Sequence, residues 1–111
     1  MRVRVAIPIM DESGFKSIVS EHFGRAPYYL VVDVDMESKD VVEARVVGNP
    51  FLEDHKPGVI PLFLKKIGAD VVVCCGIGFK AVNELEKLGI RVYRGYCGRV
   101  SDVLGEFLRS F

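Results

Sequence analysis

Apolar and polar residues alternate at the start of the chain. Val3, Val5 and Ile7 fall on one face of an extended Arg2 to Pro8 segment, with Arg2, Arg4 and Ala6 on the other, the period of two of a half-buried strand. The runs Tyr28 to Asp35 and Val41 to Val47 are rich in β-branched and aromatic residues, and the polar connector Met36–Asp40 suits an antiparallel hairpin between them. Between the first strand and this hairpin, Met10 to Arg25 is polar and contains glycine, which predicts a long loop with a helical turn near Phe15 to Val19. Loops of that length in a small domain commonly carry function.

After the hairpin the period changes. Gly48-Asn49-Pro50 ends the third strand, and the stretch through Lys56-Pro57-Gly58 has the turn chemistry of an exposed loop, with His55 as a solvated surface residue. Ile60, Phe63, Leu64 and Ile67 then recur at helical spacing, Pro61 is tolerated in the first turn, and Gly68 supplies a stop. Val71 to Cys75 is apolar on both faces, as a central parallel strand covered by helices must be. Gly76-Ile77-Gly78 turns into a second helix with Ala81, Val82, Leu85 and Leu88 inward and Gly89 as its stop. Ile90 to Tyr93 is a short fifth strand and Arg94 to Arg99 a loop. Ser101 is the expected N-cap of a last helix that buries Val103, Leu104, Phe107, Leu108 and Phe111.

This order, with right-handed crossovers, predicts an α/β fold of three α/β/α layers on a mixed five-stranded sheet, ordered 3-2-1-4-5, with the second strand antiparallel to its neighbours. The chain has 111 residues, half of them hydrophobic, which is enough for one core and too short for two, so residues 1–111 read as a single domain.

Charge narrows the partners. Fifteen Lys plus Arg balance fifteen Asp plus Glu, so no net field draws in nucleic acid or an acidic membrane surface. No apolar run is long enough to span a bilayer, and the N-terminus runs directly into the first strand without a signal peptide, so a cytoplasmic location is expected. The cysteines, Cys74, Cys75 and Cys97, are odd in number, and free thiols are expected rather than a disulfide framework.

In an open α/β sheet, ligands collect beyond the carboxyl ends of the parallel strands. That edge should carry the loop with Ser20 to Arg25, the turn Cys75 to Phe79 and the loop Arg94 to Arg99. A Gly-x-Gly turn at a helix start lets backbone N–H groups approach an anion, and Gly76 and Gly78 suit either that role or a plain tight turn. Adjacent cysteines on a strand face opposite sides, so Cys75 serves the edge while Cys74 suits the core. Cys97 in its loop is either a ligating or reactive thiol or a packed one. His22, flanked by Phe23 and Gly24, sits in polar surroundings where a neutral imidazole can ligate iron. Arg25 suits an anionic ligand or an ordinary salt bridge. Asp33 and Asp35 share one face of the hairpin without a third carboxylate, which reads as a solvated face rather than a two-metal nuclease site. No motif pairs Cys75 or Cys97 with a base.

Ser20-Glu-His-Phe-Gly-Arg-Ala-Pro-Tyr-Tyr29, followed by Gly48-Asn-Pro50, Cys75-Gly-Ile-Gly78 and Leu88-Gly-Ile-Arg-Val-Tyr93, resembles the dinitrogenase iron–molybdenum cofactor biosynthesis family of NifX-like proteins and NifB-like C-terminal domains. The resemblance spans nearly the whole chain. It implies a ribonuclease-H-like fold, a nitrogenase-accessory-factor-like domain over 1–111, and a carrier rather than an enzyme. The cargo it implies is an iron–sulfur or iron–molybdenum type cluster, bound transiently and exchanged with other cofactor-assembly proteins. His22 becomes the leading ligand, with Arg25 and the amides of Gly76 to Phe79 complementing an anionic cluster. The expected cofactor-binding set is His22, Phe23, Gly24, Arg25, Cys75, Gly76, Ile77, Gly78 and Cys97, with His22, Cys75 and Cys97 as candidate metal ligands. The competing expectation is a metal-free module that binds a small metabolite or nucleotide phosphate at the same glycine turn.

Overall fold

The structure, a computed structural model, describes residues 1–53 and 56–111. His55, expected on the surface, lies outside the described residues. The strands are β1 (Arg2–Ile9), β2 (Tyr28–Asp35), β3 (Asp40–Gly48), β4 (Val71–Val73) and β5 (Arg91–Tyr93), and the helices are α1 (Val59–Lys66), α2 (Phe79–Lys87) and α3 (Val100–Arg109). They form one mixed five-stranded sheet in the order β3-β2-β1-β4-β5. β2 runs antiparallel to both neighbours, while β4 is parallel to β1 and β5. The expected topology is therefore the observed one.

Each face of the sheet owns a core, set by the alternation. Val5 and Ile7 of β1, with Leu30, Val32, Val71 and Val73, pack beneath Val103, Leu104 and Phe107 of α3. Ala6, Tyr29, Val72 and Cys74 point the other way, onto Ile60 and Leu64 of α1 and Leu85 of α2. Successive side chains of a strand face opposite sides, and Cys74 and Cys75 obey this: Cys74 belongs to the α1/α2 core, whereas Cys75 packs against the α3 core. Gly68 and Gly89 follow the C-terminal turns of α1 and α2 at φ +82° and +80°, a left-handed geometry that ends a helix and that a side chain resists.

Several local expectations are corrected. α3 begins one residue earlier than its predicted cap, at Val100, with Arg99 in the N-cap position and no side-chain cap bond, since a guanidinium has no acceptor to offer; the Val100 N–H is held by the Ser17 carbonyl at 2.9 Å. Phe111 is 53% exposed rather than buried, since it lies past the end of α3 and stacks edgewise on Phe107 and Tyr93 from outside. The long loop after β1 holds short 3-10 turns at Gly14–Lys16 and Phe23–Arg25 rather than a helical turn through Val19, because Val19 is drawn into a bridge with Ile9.

Asp33 is also not merely solvated. It stands directly opposite Arg4 in the β1–β2 ladder and accepts two guanidinium bonds, at 2.8 and 3.1 Å, while Arg4 also donates to the Ile67 carbonyl at 2.7 Å. The hydrogen bond from Arg4 holds the Asp33 carboxyl below the usual carboxylate range. A carboxylate whose pKa is depressed by folding stabilises the protein above its unfolded pKa, and that contribution is lost as pH falls through the lower folded value. Asp33→Asn is accordingly expected to cost about 1 kcal/mol at neutral pH. Urea melts should show that deficit closing as the pH drops below the usual carboxylate range.

The β1–β4 junction is narrow. β1 pairs with β2 along its whole length, from Arg2–Asp35 to Ile9–Tyr28, but meets β4 only at Val5–Val71 and Ala6–Val72.

Candidate functional site

The strand order changes direction between β1 and β4, so the loop leaving β1 and the turn leaving β4 diverge to open a crevice at the sheet's carboxyl edge. A cavity of about 620 Å³ occupies it. Its walls are the segment Glu21–Arg25, the approach to α1 through Lys56, Pro57 and Gly58, the turn Gly76–Gly78, and the first turn of α2. The N-termini of α1 and α2 therefore both face it with the positive end of a helix dipole, although in α1 the Val59 N–H is taken by the Lys56 carbonyl and Pro61 has none to offer. Arg25, Lys56 and Lys80 add cationic groups to its lining, against Glu21 and Glu84.

The His22 segment is held from three directions. The Ser20 side chain, buried at 4% exposure, accepts the His22 N–H at 3.2 Å and donates to the His22 carbonyl at 3.0 Å, a local loop that fixes the backbone while the histidine itself stays exposed. Phe23 N–H donates to the Gly76 carbonyl at 3.0 Å, which ties the β1 loop to the β4 turn. From below, the Tyr29 hydroxyl donates to the Phe23 carbonyl at 2.7 Å. Tyr29 is fully buried, and burial pushes its phenol well above the ordinary range, so it remains a neutral donor. The Gly48-Asn49-Pro50 segment finishes the anchorage, because the Asn49 side-chain amide donates to the Ala26 carbonyl at 2.9 Å.

Gly76 and Gly78 do different work. A Cβ on Gly76 would press into the Glu21 carbonyl oxygen, so the close approach of the two loops itself requires glycine. A Cβ on Gly78 meets no atom within 4 Å, and Gly78 lines the cavity, so the space beside it is open.

The cavity thus gathers His22, Phe23, Gly24, Arg25, Gly76, Ile77 and Gly78 of the expected set. Cys75 and Cys97 are not on its wall; they are joined to each other in a disulfide with their Cα atoms 4.6 Å apart. This corrects the expectation of free thiols for that pair. The chain after β5 folds back onto the end of β4, with Gly95 N–H on the Cys75 carbonyl at 2.9 Å and Tyr96 N–H on the Cys74 carbonyl at 3.0 Å, and so brings together cysteines separated by 22 residues. Joined in this way they carry no thiolate, and ligation by either would require the bond to be reduced. Cys74 is free and buried, and burial pushes its thiol up to about 11, so it stays protonated at neutral pH. Among the described residues no group of three or more His, Cys, Asp or Glu side chains is placed to enclose a metal ion. The one ion pair among them is Arg4–Asp33.

Lys56, Pro57, Pro61, Lys80 and Glu84 escaped the sequence reading. Lys80 and Glu84 had a legible signal, since residues four apart on a helix share a face. The approach to α1 had none, because it meets the cavity only through the packing of α1 beside α2.

Fold and crevice together define a small α/β protein with a cavity of mixed charge at a topological switch point. Residues 1–110 match the sequence profile of the dinitrogenase iron-molybdenum cofactor family, and the chain belongs to that family. Among solved structures, it is 44% identical to PH0822, with a TM-score of 0.87 over 97% of this chain and 92% of the other. It is 29% identical to TM1290, a provisional NifB protein from Thermotoga, with a TM-score of 0.73 over 96% and 88% of the two chains. The apo form of the orange protein from Desulfovibrio gigas is 28% identical, with a TM-score of 0.78 over 96% and 88%. No helix among the described residues is long and apolar enough to cross a membrane.

Proposed function

We propose that the cavity transiently holds an anionic iron–sulfur or iron–molybdenum type cluster as cargo, and that the chain is a cytoplasmic carrier within cofactor assembly rather than a catalyst. The observation that carries this reading is the convergence, in one cavity, of the His22 imidazole with cationic side chains and a glycine turn, in a chain of the iron-molybdenum cofactor family. His22 would supply one ligand to iron. Arg25, Lys80 and the N–H groups at Gly76–Gly78 would complement the negative charge of the bridging sulfides. A volume of about 620 Å³ lies within the usual range of ligand pockets. One ligand plus diffuse electrostatics suits a carrier, because cargo held that way can be passed to a partner of the assembly pathway without displacing a full set of thiolates.

The test is anaerobic titration with a preassembled iron–sulfur cluster, following visible absorbance and bound iron. Wild type is expected to bind stoichiometrically, and His22→Ala to bind at least about tenfold more weakly, the value of one lost charge-assisted or coordinating contact. Unchanged affinity in His22→Ala would remove the histidine from the site. The two converging helix N-termini also favour a phosphate, and stabilisation of the protein by a nucleotide or inorganic phosphate, with no iron bound, would replace the cluster by that ligand.

A further inference from the structure

The Cys75–Cys97 disulfide stands outside the cavity but closes a ring that runs through His22. From Cys97 the chain passes to Gly98, whose carbonyl accepts Val19 N–H at 2.8 Å. From Val19 it continues through Ser20 and His22 to Phe23, whose N–H is held by the Gly76 carbonyl at 3.0 Å, and Gly76 adjoins Cys75. Two hydrogen bonds and one covalent bond therefore fix the histidine loop against the glycine turn, and only the covalent one responds to oxidants and reductants.

The two sulfurs differ in access. Cys97 is exposed, in a loop flanked by Gly95 and Gly98 at φ +87° and +114°, whereas Cys75 is half-buried against the α3 core. We propose that this pair is a reversible dithiol–disulfide switch that clamps the cavity wall: oxidised, it holds the His22 loop and the Gly76–Gly78 turn ready for cargo, and reduced, it loosens both and weakens the hold. The effect on cargo rests on the reading of the cavity given above. In a cytoplasmic setting a disulfide is more often transient and redox-sensing than permanent.

The reductant required is a dithiol. Its thiolate attacks the exposed Cys97 sulfur, the S–S bond breaks, and the electron pair leaves on the Cys75 sulfur, which takes a proton. The second thiol of the reductant then attacks the mixed disulfide, becoming oxidised to a cyclic disulfide and releasing Cys97 as a thiol. The protein gains two electrons and two protons, and the dithiol loses the same. Cys74 takes no part, because it lies buried on the opposite face of the sheet. The bonds from Gly95 to the Cys75 carbonyl and from Tyr96 to the Cys74 carbonyl do not involve sulfur, so the loop stays docked and the bond can form again.

Amide hydrogen exchange of the ligand-free protein, oxidised and then treated with excess dithiothreitol without denaturant, reads the clamp directly. Of the three cysteines two are in the bond, so titratable thiols measured after unfolding should rise from one to three on reduction. Exchange at residues 20–25 should rise about fivefold or more while Gly95, Tyr96, β1 and α3 stay protected. Cys97→Ser should exchange like the reduced protein whether or not reductant is present. In thiol-free buffer it should bind an iron–sulfur cluster about fivefold more weakly than oxidised wild type, the preorganisation having been lost. A bond that survives native reductant, equal exchange at 20–25 in both forms, or equal cluster affinity in Cys97→Ser would overturn the switch. Cluster binding by neither form would remove the carrier reading, while the exchange difference would still decide the clamp.

Discussion

The Gly76→Ala protein is expected to lose about 2–3 kcal/mol of stability and most of its affinity for an iron–sulfur cluster. The added methyl group points at backbone, the Glu21 carbonyl, and not at the yielding end of a long side chain. Either the loop carrying His22 or the turn after β4 must retreat, and the Phe23–Gly76 hydrogen bond is stretched or lost with it. Urea denaturation gives the stability change and the anaerobic titration gives the binding loss. Gly78→Ala is the matched control. Its Cβ meets no protein atom, so stability should stay within about 0.5 kcal/mol of wild type while cluster binding weakens, since the methyl group would project from a residue of the cavity wall. Equal destabilisation by the two substitutions would mean that the turn, and not its fit to Glu21, is what glycine serves.

Phe107→Ala should have the larger effect on stability, about 3–5 kcal/mol. Phe107 is 2% exposed and centres an aromatic cluster, with ring centroids 5.1 Å from Tyr93, 6.0 Å from Tyr96 and 4.9 Å from Phe111. Tyr93 and Phe111 hold each other edge to face at 5.8 Å, which limits how far either can swing into the space, so much of the cavity left behind should persist. Scanning calorimetry should show a large fall in the melting temperature. Because Phe107 packs on the face opposite α1 and α2, folded protein at low temperature should still bind cluster with near wild-type affinity. A binding loss as large as that of Gly76→Ala would show that the two faces are energetically coupled.

The sheet was legible because its signals are local. Period-two alternation placed β1, β-branched and aromatic runs placed β2 and β3 with the Met36–Asp40 connector pairing them, and the two-faced apolar character of Val71–Val73 put β4 in the centre. Gly68 and Gly89 marked two helix ends for a steric reason that needs no tertiary context. The His22 segment and the glycine turn were also legible, and the strand order brought them to one edge.

What stayed hidden depends on how chain segments dock. The disulfide joins cysteines on two different loops, and nothing local to either foretells that Gly95 and Tyr96 fold back on β4. Ser101 was a sound cap by residue type, but the helix starts at Val100, whose N–H is held by the Ser17 carbonyl. Asp33 looked solvated because its partner, Arg4, is adjacent only across the ladder.

The narrow β1–β4 junction has a consequence for the order in which the molecule assembles. The meander β1–β2–β3 closes through short-range hairpin contacts and a β1–β2 ladder running the length of both strands, whereas the β1–β4 ladder has two residue pairs, far apart in sequence. Loop-closure entropy favours the local pairing first, so the N-terminal meander is expected to form ahead of the docking of β4, α2 and β5, which φ-value measurements on β1 and β4 would check. The seam expected to close last borders the cavity, so the crevice walls should take their shape only after the meander has formed.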